Sequence, residues 1–157
     1  MQIGSSIIRP YRDDEITLLL DMRRAMTLEL DGEDPDVDIP GWRVRFAAYI
    51  KEMRERDETM FFVAEQDGRL IGMGGVYKLR NHRSVIYGFA AAYITSVYVL
   101  PEHRRAGIAR QITLAAVEWA RAHGCVVVRL RASATGRLVY QSLGFAQTDE
   151  MELRLKS

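Results

Sequence analysis

Residues Val97–Ala120 read VYVLPEHRRAGIARQITLAAVEWA. A β-rich run stops at Pro101, a short basic segment with one glycine follows, and from Gly107 an apolar stripe begins at helical spacing. A strand running into a helix N-terminus leaves several backbone N–H groups without intrahelical partners, and the helix dipole makes that end partly positive. Phosphate binds naturally at such an end. Gly107 removes a Cβ where a ligand would approach the backbone. Arg104, Arg105 and Arg110 add cationic donors that match phosphate geometry. The seam has the chemistry of a pyrophosphate cradle, and it is equally compatible with a plain connection carrying surface arginines. Neither G-x-x-x-x-G-K-[ST] nor a G-x-G-x-x-G after a strand occurs.

Working outward, the helix over 107–123 presents Ile108, Ile112, Ala115, Trp119 and Ala122 on one stripe, and Gly124 supplies its stop. Ala91–Val99 is the strand before the seam. Thr59–Glu65 and Arg69–Leu79 form a hairpin through Asp67-Gly68. Gly72, Gly74 and Gly75 in its second arm signal bulges or close backbone approach. Asn81–Ala90 reads as a loop. Downstream, Val126–Arg131 reads as a buried strand, Thr135–Leu143 as a helix closed by Gly144, and Glu150–Leu155 as the last strand.

Upstream, Ser5–Arg9 is a strand that stops at Pro10. Asp13 or Asp14 caps a helix carrying Ile16, Leu19, Leu20, Met26 and Leu30. Leu30–Gly41 is an acidic loop, and Trp42–Arg56 is a second helix with Phe46, Tyr49, Ile50 and Met53 on one face. The order β-α-α-β-β-β-α-β-α-β predicts an α/β sheet with an antiparallel first half and a parallel crossover.

The 157 residues are expected to form one domain, residues 1–157. Apolar residues at 48% and charged ones at 27% fit a globular chain. A net charge of +1 argues against a broad nucleic-acid surface. One cysteine, Cys125, and the lack of an apolar signal stretch or membrane span predict a cytoplasmic protein with no membrane partner. The histidines, 82, 103 and 123, are not at metal-ligand spacing, so no metal is expected.

Arg104-Arg105-Ala106-Gly107-Ile108-Ala109 resembles the R/Q-x-x-G-x-G/A signature of the GNAT superfamily of N-acetyltransferases. Its context agrees: a strand ending in V-x-P before it and a long amphipathic helix after it. Leu130–Phe145, LRASATGRLVYQSLGF, is similar to the family's next strand and helix, closing in L/V-Y-x-x-x-G-F. The similarity runs from about Met60 to Leu155 and is weaker over the first two helices.

The resemblance implies a mixed, largely antiparallel sheet of α+β type, with a central splayed parallel pair and helices on both faces. It implies acetyl-coenzyme A as cosubstrate, with its pyrophosphate on the backbone N–H groups of Arg105, Ala106, Gly107, Ile108, Ala109 and Arg110. Side chains of Arg104 and Arg105 either reach those phosphates or face solvent. The pantetheine arm would lie between strands Tyr93–Val99 and Val126–Arg131, pairing with the backbone of Val97 and Val99. Ser133 stands where many members carry the longer Asn that helps hold the cofactor. Tyr140 would protonate the departing thiolate; a packed helix tyrosine bonded to a backbone carbonyl is the plain alternative.

The implied reaction moves an acetyl group to a primary amine of a small molecule or peptide in a ternary complex. Ala91–Val99 holds no acid, where many members place a general base. Glu29, Asp31, Glu33, Asp34 and Glu65 are candidates, as is a water relay at Tyr93. The acidic loop 31–38 reads either as a solvated charge run or as a lid attracting a cationic amine. The missing acid and Ser133 also fit a non-catalytic coenzyme A-binding sensor or partner subunit. Dimerisation is common in the family, so a homodimer is among the expectations, although no interface is legible.

Overall fold

The computed structural model describes residues 5–156. Strands β1 (Ile7–Pro10), β2 (Thr59–Gln66), β3 (Arg69–Leu79), β4 (Ala90–Val99) and β5 (Cys125–Leu130) form one sheet in the order β1-β2-β3-β4-β5. The first four strands pair antiparallel, and β4 and β5 pair parallel. The β2–β3 turn places Asp67 at φ 52° and Gly68 at φ 73°, the two left-handed residues that a tight hairpin of right-handed twist requires.

Helices α1 (Ile16–Asp31), α2 (Pro35–Asp38), α3 (Trp42–Glu55), α4 (His82–Tyr87), α5 (Ile108–Ala122) and α6 (Arg137–Ser142) complete the chain. Helix α5 covers one face of the sheet, with Ile112, Ala116 and Trp119 against Val76, Ala92 and Ile94. Helices α1 and α3 cover the other, where Leu19 and Ile50 join Phe61, Val63 and Met73. The mixed sheet with helices on both faces is the one expected.

Several local expectations change. The buried stripe of α5 is Ile108, Ile112, Thr113, Ala116, Trp119 and Ala120. The 3.6-residue period carries Ala122 out to solvent. Neither Asp13 nor Asp14 caps α1. A short 3-10 turn, Asp13–Glu15, precedes it, and Glu15 accepts from the Arg12 N–H at 2.7 Å. The two segments read as loops each hold a short helix, because Asp34 and Asn81 cap α2 and α4 through their side chains.

Strand β5 is not buried: Val126 is 62% exposed. The expected last strand, Glu150–Leu155, forms no strand, and Met151, Leu153 and Leu155 are at least 83% exposed. The parallel pair therefore lies at the edge of the described sheet. The close approach signalled by the glycines is real: a Cβ on Gly74 would stand 2.5 Å from Ile112 Cγ2, and one on Gly75 would stand 2.6 Å from the Phe61 ring.

Glu15 ties β1 to the start of α1. It receives both Arg9 terminal nitrogens, at 2.8 and 2.7 Å, while Arg9 Nε bonds Glu65. The Arg9 bond holds the Glu15 carboxyl at about 2, aided by the Arg12 N–H. A depressed folded pKa stabilises the protein above the unfolded value, and that stability is lost as pH falls from about 4.5 to about 2. Glu15→Gln is expected to cost about 2 kcal/mol at neutral pH and to flatten the urea-unfolding midpoint against pH across that window.

Candidate active site

The site is built around a fork in the sheet. β4 and β5 pair from Ala90 opposite Cys125 to Ile94 opposite Leu130, and no further. β4 runs on to Val99, so among the described residues, 95–99 have no strand partner on that side. The expected splay is therefore present, but it begins after Ile94 and leaves most of β5 paired. A bulge marks the place: between Gly75/Thr95 and Met73/Tyr98, β4 advances three residues while β3 advances two. Ser96 sits in it, buried, at φ 56°, a conformation non-glycine residues adopt at a cost.

The register decides which peptide groups face the fork. The Leu100 N–H bonds the Ile71 carbonyl at 2.9 Å, so that pair is a hydrogen-bonded one. Antiparallel alternation then turns the polar groups of Val99, and by the same step Val97, away from β3 and toward the open side. Their side chains pack on the α5 core.

Beyond Val99 come a 3-10 turn, Pro101–His103, and the loop into α5. Arg105 and Gly107 are both left-handed, at φ 65° and 78°. Space around Gly107 is open, so backbone conformation, rather than crowding, favours glycine there. The first amide of this segment to bond back is that of Gln111, to the Gly107 carbonyl at 3.1 Å. Among the described residues, the N–H groups of Arg105, Ala106, Gly107, Ile108, Ala109 and Arg110 have no protein acceptor.

Arg104 does not extend toward these amides. Its Nε donates to the Val99 carbonyl at 2.9 Å, its two terminal nitrogens grip Glu29 at 2.6 and 2.7 Å, and its guanidinium lies 5.4 Å from the Tyr98 ring centre. Of the two expectations, phosphate or solvent, Arg104 follows neither in this structure: its side chain clamps the loop to α1, and Val99 keeps only its N–H for the fork. Arg105 is exposed and makes no ion pair among the described residues. Arg110 bonds the Ser142 hydroxyl at 3.0 Å, joining α5 to α6.

Tyr140 lines a cleft of about 370 Å³ together with Tyr93, Leu130, Arg131, Arg137 and Glu150. Leu130 is the residue at which the fork opens, so the cleft lies beside it. The Tyr140 ring meets Phe145 edge-on at 5.9 Å and rests on Gly136, where a Cβ would come within 3.1 Å of it. Among the described residues the phenol has no hydrogen-bond partner, so the carbonyl-bonded alternative is not what the fold builds. Burial raises its pKa above the ordinary 10. Ser133 spends its hydroxyl locally, accepting from the Gly136 N–H at 3.1 Å at the turn into α6.

The candidate bases fare differently. Glu29 is paired with Arg104, Asp34 with Arg24 and Glu65 with Arg9. Asp31 and Glu33 are exposed. Tyr93 does reach the cleft, and so do Glu150 and Glu152, two carboxylates that the sequence reading passed over as parts of a strand. Glu152 is held by Arg131 and Arg154. In the acidic loop, Asp34 and Asp36 are neutralised in place by Arg24 and Arg43, which cancels much of the field expected of it.

The acetyltransferase (GNAT) family model matches residues 22–145. The chain belongs to the GNAT family. It is thus an acetyltransferase, and this GNAT chain resembles several other acetyltransferases at modest identity. Aminoglycoside N(6')-acetyltransferase type 1 of Salmonella typhimurium is 25% identical over 104 residues, 64% of this chain and 72% of that one. Glucosamine 6-phosphate N-acetyltransferase of Trypanosoma brucei brucei is 30% identical over 110 residues, 69% and 73% of the two chains. A predicted acetyltransferase from Clostridium acetobutylicum, solved with acetyl-coenzyme A, superposes with a TM-score of 0.80 at 25% identity, covering 96% of this chain and 97% of that one. Among the described residues, no helix of this GNAT protein is long and apolar enough to cross a membrane, and no three metal-ligating side chains cluster.

Proposed function

We propose that the protein transfers the acetyl group of acetyl-coenzyme A to the primary amine of a small molecule, by direct attack within a ternary complex. The observation that carries this is the fork: an open β4 edge, a row of unpaired amides at its end and an unbonded phenol beside its opening. The donor fits these residues. Six free N–H groups at a helix start suit a pyrophosphate. The outward peptide of Val97 and the N–H of Val99 suit an extended amide-bearing arm that adds to the sheet as a strand would.

Acetyl-coenzyme A supplies an activated thioester. The backbone near Val97 polarises its carbonyl oxygen. Tyr140, kept protonated by burial, hands its proton to the departing sulfur. Glu150, exposed in the same cleft, takes the proton from the incoming amine, directly or through water. The small-molecule acceptor follows the relatives, named for aminoglycoside and glucosamine 6-phosphate acetylation.

The test is thiol release from acetyl-coenzyme A across a panel of small amines, beside binding of the same donor. Amine-dependent release is expected. Tight donor binding with no release on any amine would favour a coenzyme A sensor instead.

A further inference from the structure

On the α1/α3 face most arginines are neutralised. Arg24 pairs with Asp34 and Asp36, Arg43 with Asp21 and Asp36, Arg54 with Asp13, and Arg104 with Glu29. Two are not. Arg23 donates to the Met26 sulfur at 3.3 Å, and Arg45 to the Pro40 carbonyl at 2.9 Å. Among the described residues neither has a carboxylate within ion-pair distance. Both line one pocket of about 380 Å³, whose remaining walls are Trp42, Phe46 and Tyr49. Arg23 is half-buried. Desolvation pushes its guanidinium pKa below the ordinary value, opposed at longer range by Asp31. A desolvated cation without a counter-ion gains from any anion brought beside it. The aromatic walls add surface on which a sugar or other small ring can lie.

Tyrosines lie between this pocket and the Tyr140 cleft. Tyr49 belongs to its wall and lies near enough to Tyr77 to raise the Tyr77 phenol, after burial and Tyr93. Tyr77 and Tyr93 stand opposite each other on β3 and β4 and stack at 5.5 Å. Tyr93 in turn lines the cleft of Tyr140. A row of three tyrosines thus runs from the two free guanidiniums to the acetyl-transfer cleft, along the sheet face opposite α5.

We infer that the pocket of Arg23, Arg45, Trp42, Phe46 and Tyr49 receives the anionic end of the acceptor, so that the substrate is an amine that also carries a phosphate or a carboxylate. This rests on the acetyl-transfer reading. Arg23 and Arg45 are specificity-determining residues: they hold the far end of the acceptor, while its amine extends past Tyr93 toward Tyr140. Arginine suits the task because its planar donor fork fits either anion in two-point contact.

The experiment uses matched amines that differ only in the anion: glucosamine 6-phosphate against glucosamine, and γ-aminobutyrate against butylamine. Binding to the full-length protein with coenzyme A present is followed by Trp42 fluorescence and by calorimetry, and turnover by thiol release. At least one anionic partner is expected to bind at least tenfold more tightly than its match and to show a KM lower by the same factor. Which pair shows the preference tells phosphate from carboxylate. Arg45→Gln, at an exposed position, is expected to remove most of the preference, and Arg23→Gln with Arg45→Gln all of it. The loss is expected in the KM of the anion-bearing amine rather than in kcat, and Arg23→Lys should retain part of the preference that Arg23→Gln removes.

Equal binding within both pairs, no binding of any of the four, or a preference that survives the double variant would overturn the inference. The two readings fail separately. Preferential binding with no thiol release sinks acetyl transfer and leaves the pocket standing. Release that ignores the anion sinks the pocket and leaves transfer standing.

Discussion

Tyr140→Phe is expected to lower kcat by about 10²–10⁴-fold while leaving acetyl-coenzyme A affinity nearly unchanged. The substitution deletes one oxygen and keeps the ring that packs on Phe145 and over Gly136, so α6 and the cleft wall should persist. Because the phenol has no partner among the described residues, its removal leaves no buried group unsatisfied, and stability should hardly move. A loss of rate therefore reports proton donation rather than collapse. The pH dependence has a defined sign. Burial raises the phenol above its ordinary 10, so the donor form persists through neutral pH. The tyrosine-dependent part of kcat is lost only as pH climbs past that raised value, and the Phe variant lacks this alkaline limb. Equal losses in kcat and in donor binding, with the alkaline limb retained, would count against the role.

Gly74→Val is expected to destabilise the protein by about 1–3 kcal/mol, the usual cost of overpacking a core. Any Cβ at this position falls 2.5 Å from Ile112 Cγ2 and 3.3 Å from Val97 Cγ2. Ile112 is fully buried on α5, so either the helix or the strand must shift. Val97 lies with Ser96 in the bulge that marks the fork, so the donor KM should rise as stability falls. A double-mutant cycle with Ile112→Ala separates contact from coincidence: Gly74→Val should cost less in the Ala background than in the native one. Additive urea midpoints would show that the close approach is not the cause.

Much of the donor half was legible from residues alone. The stripe from Ile108 to Trp119 announced α5, Asp67-Gly68 announced the hairpin, and Gly107 marked the cradle, because local periodicity and turn chemistry report directly on backbone conformation. Tyr140 was reached through the family motif around it. What failed depended on partners. Glu150–Leu155 alternates like a strand, but alternation creates a strand only where an edge accepts it, and no such pairing forms. The side chain of Arg104 was open between phosphate and solvent, because a linear motif does not show that Glu29, far away in sequence, will claim its fork. Asp31–Asp38 stayed open between a solvated charge run and a charged lid, because the neutralising Arg24 and Arg43 lie on other helices. Glu150 was missed as a cleft residue for the same reason.

The sequence by itself determined the elements that depend on neighbours along the chain: the helix after Gly107, the two-residue turn at Asp67-Gly68 and the family to which the Arg104–Ala109 signature belongs. Only the tertiary structure decided where β4 and β5 part, which guanidiniums are spent on carboxylates, and that Arg23 and Arg45 share one pocket without one. Turn and helix propensities act over a few residues, whereas ion pairing, desolvation and strand register are set by groups brought together from distant parts of the chain.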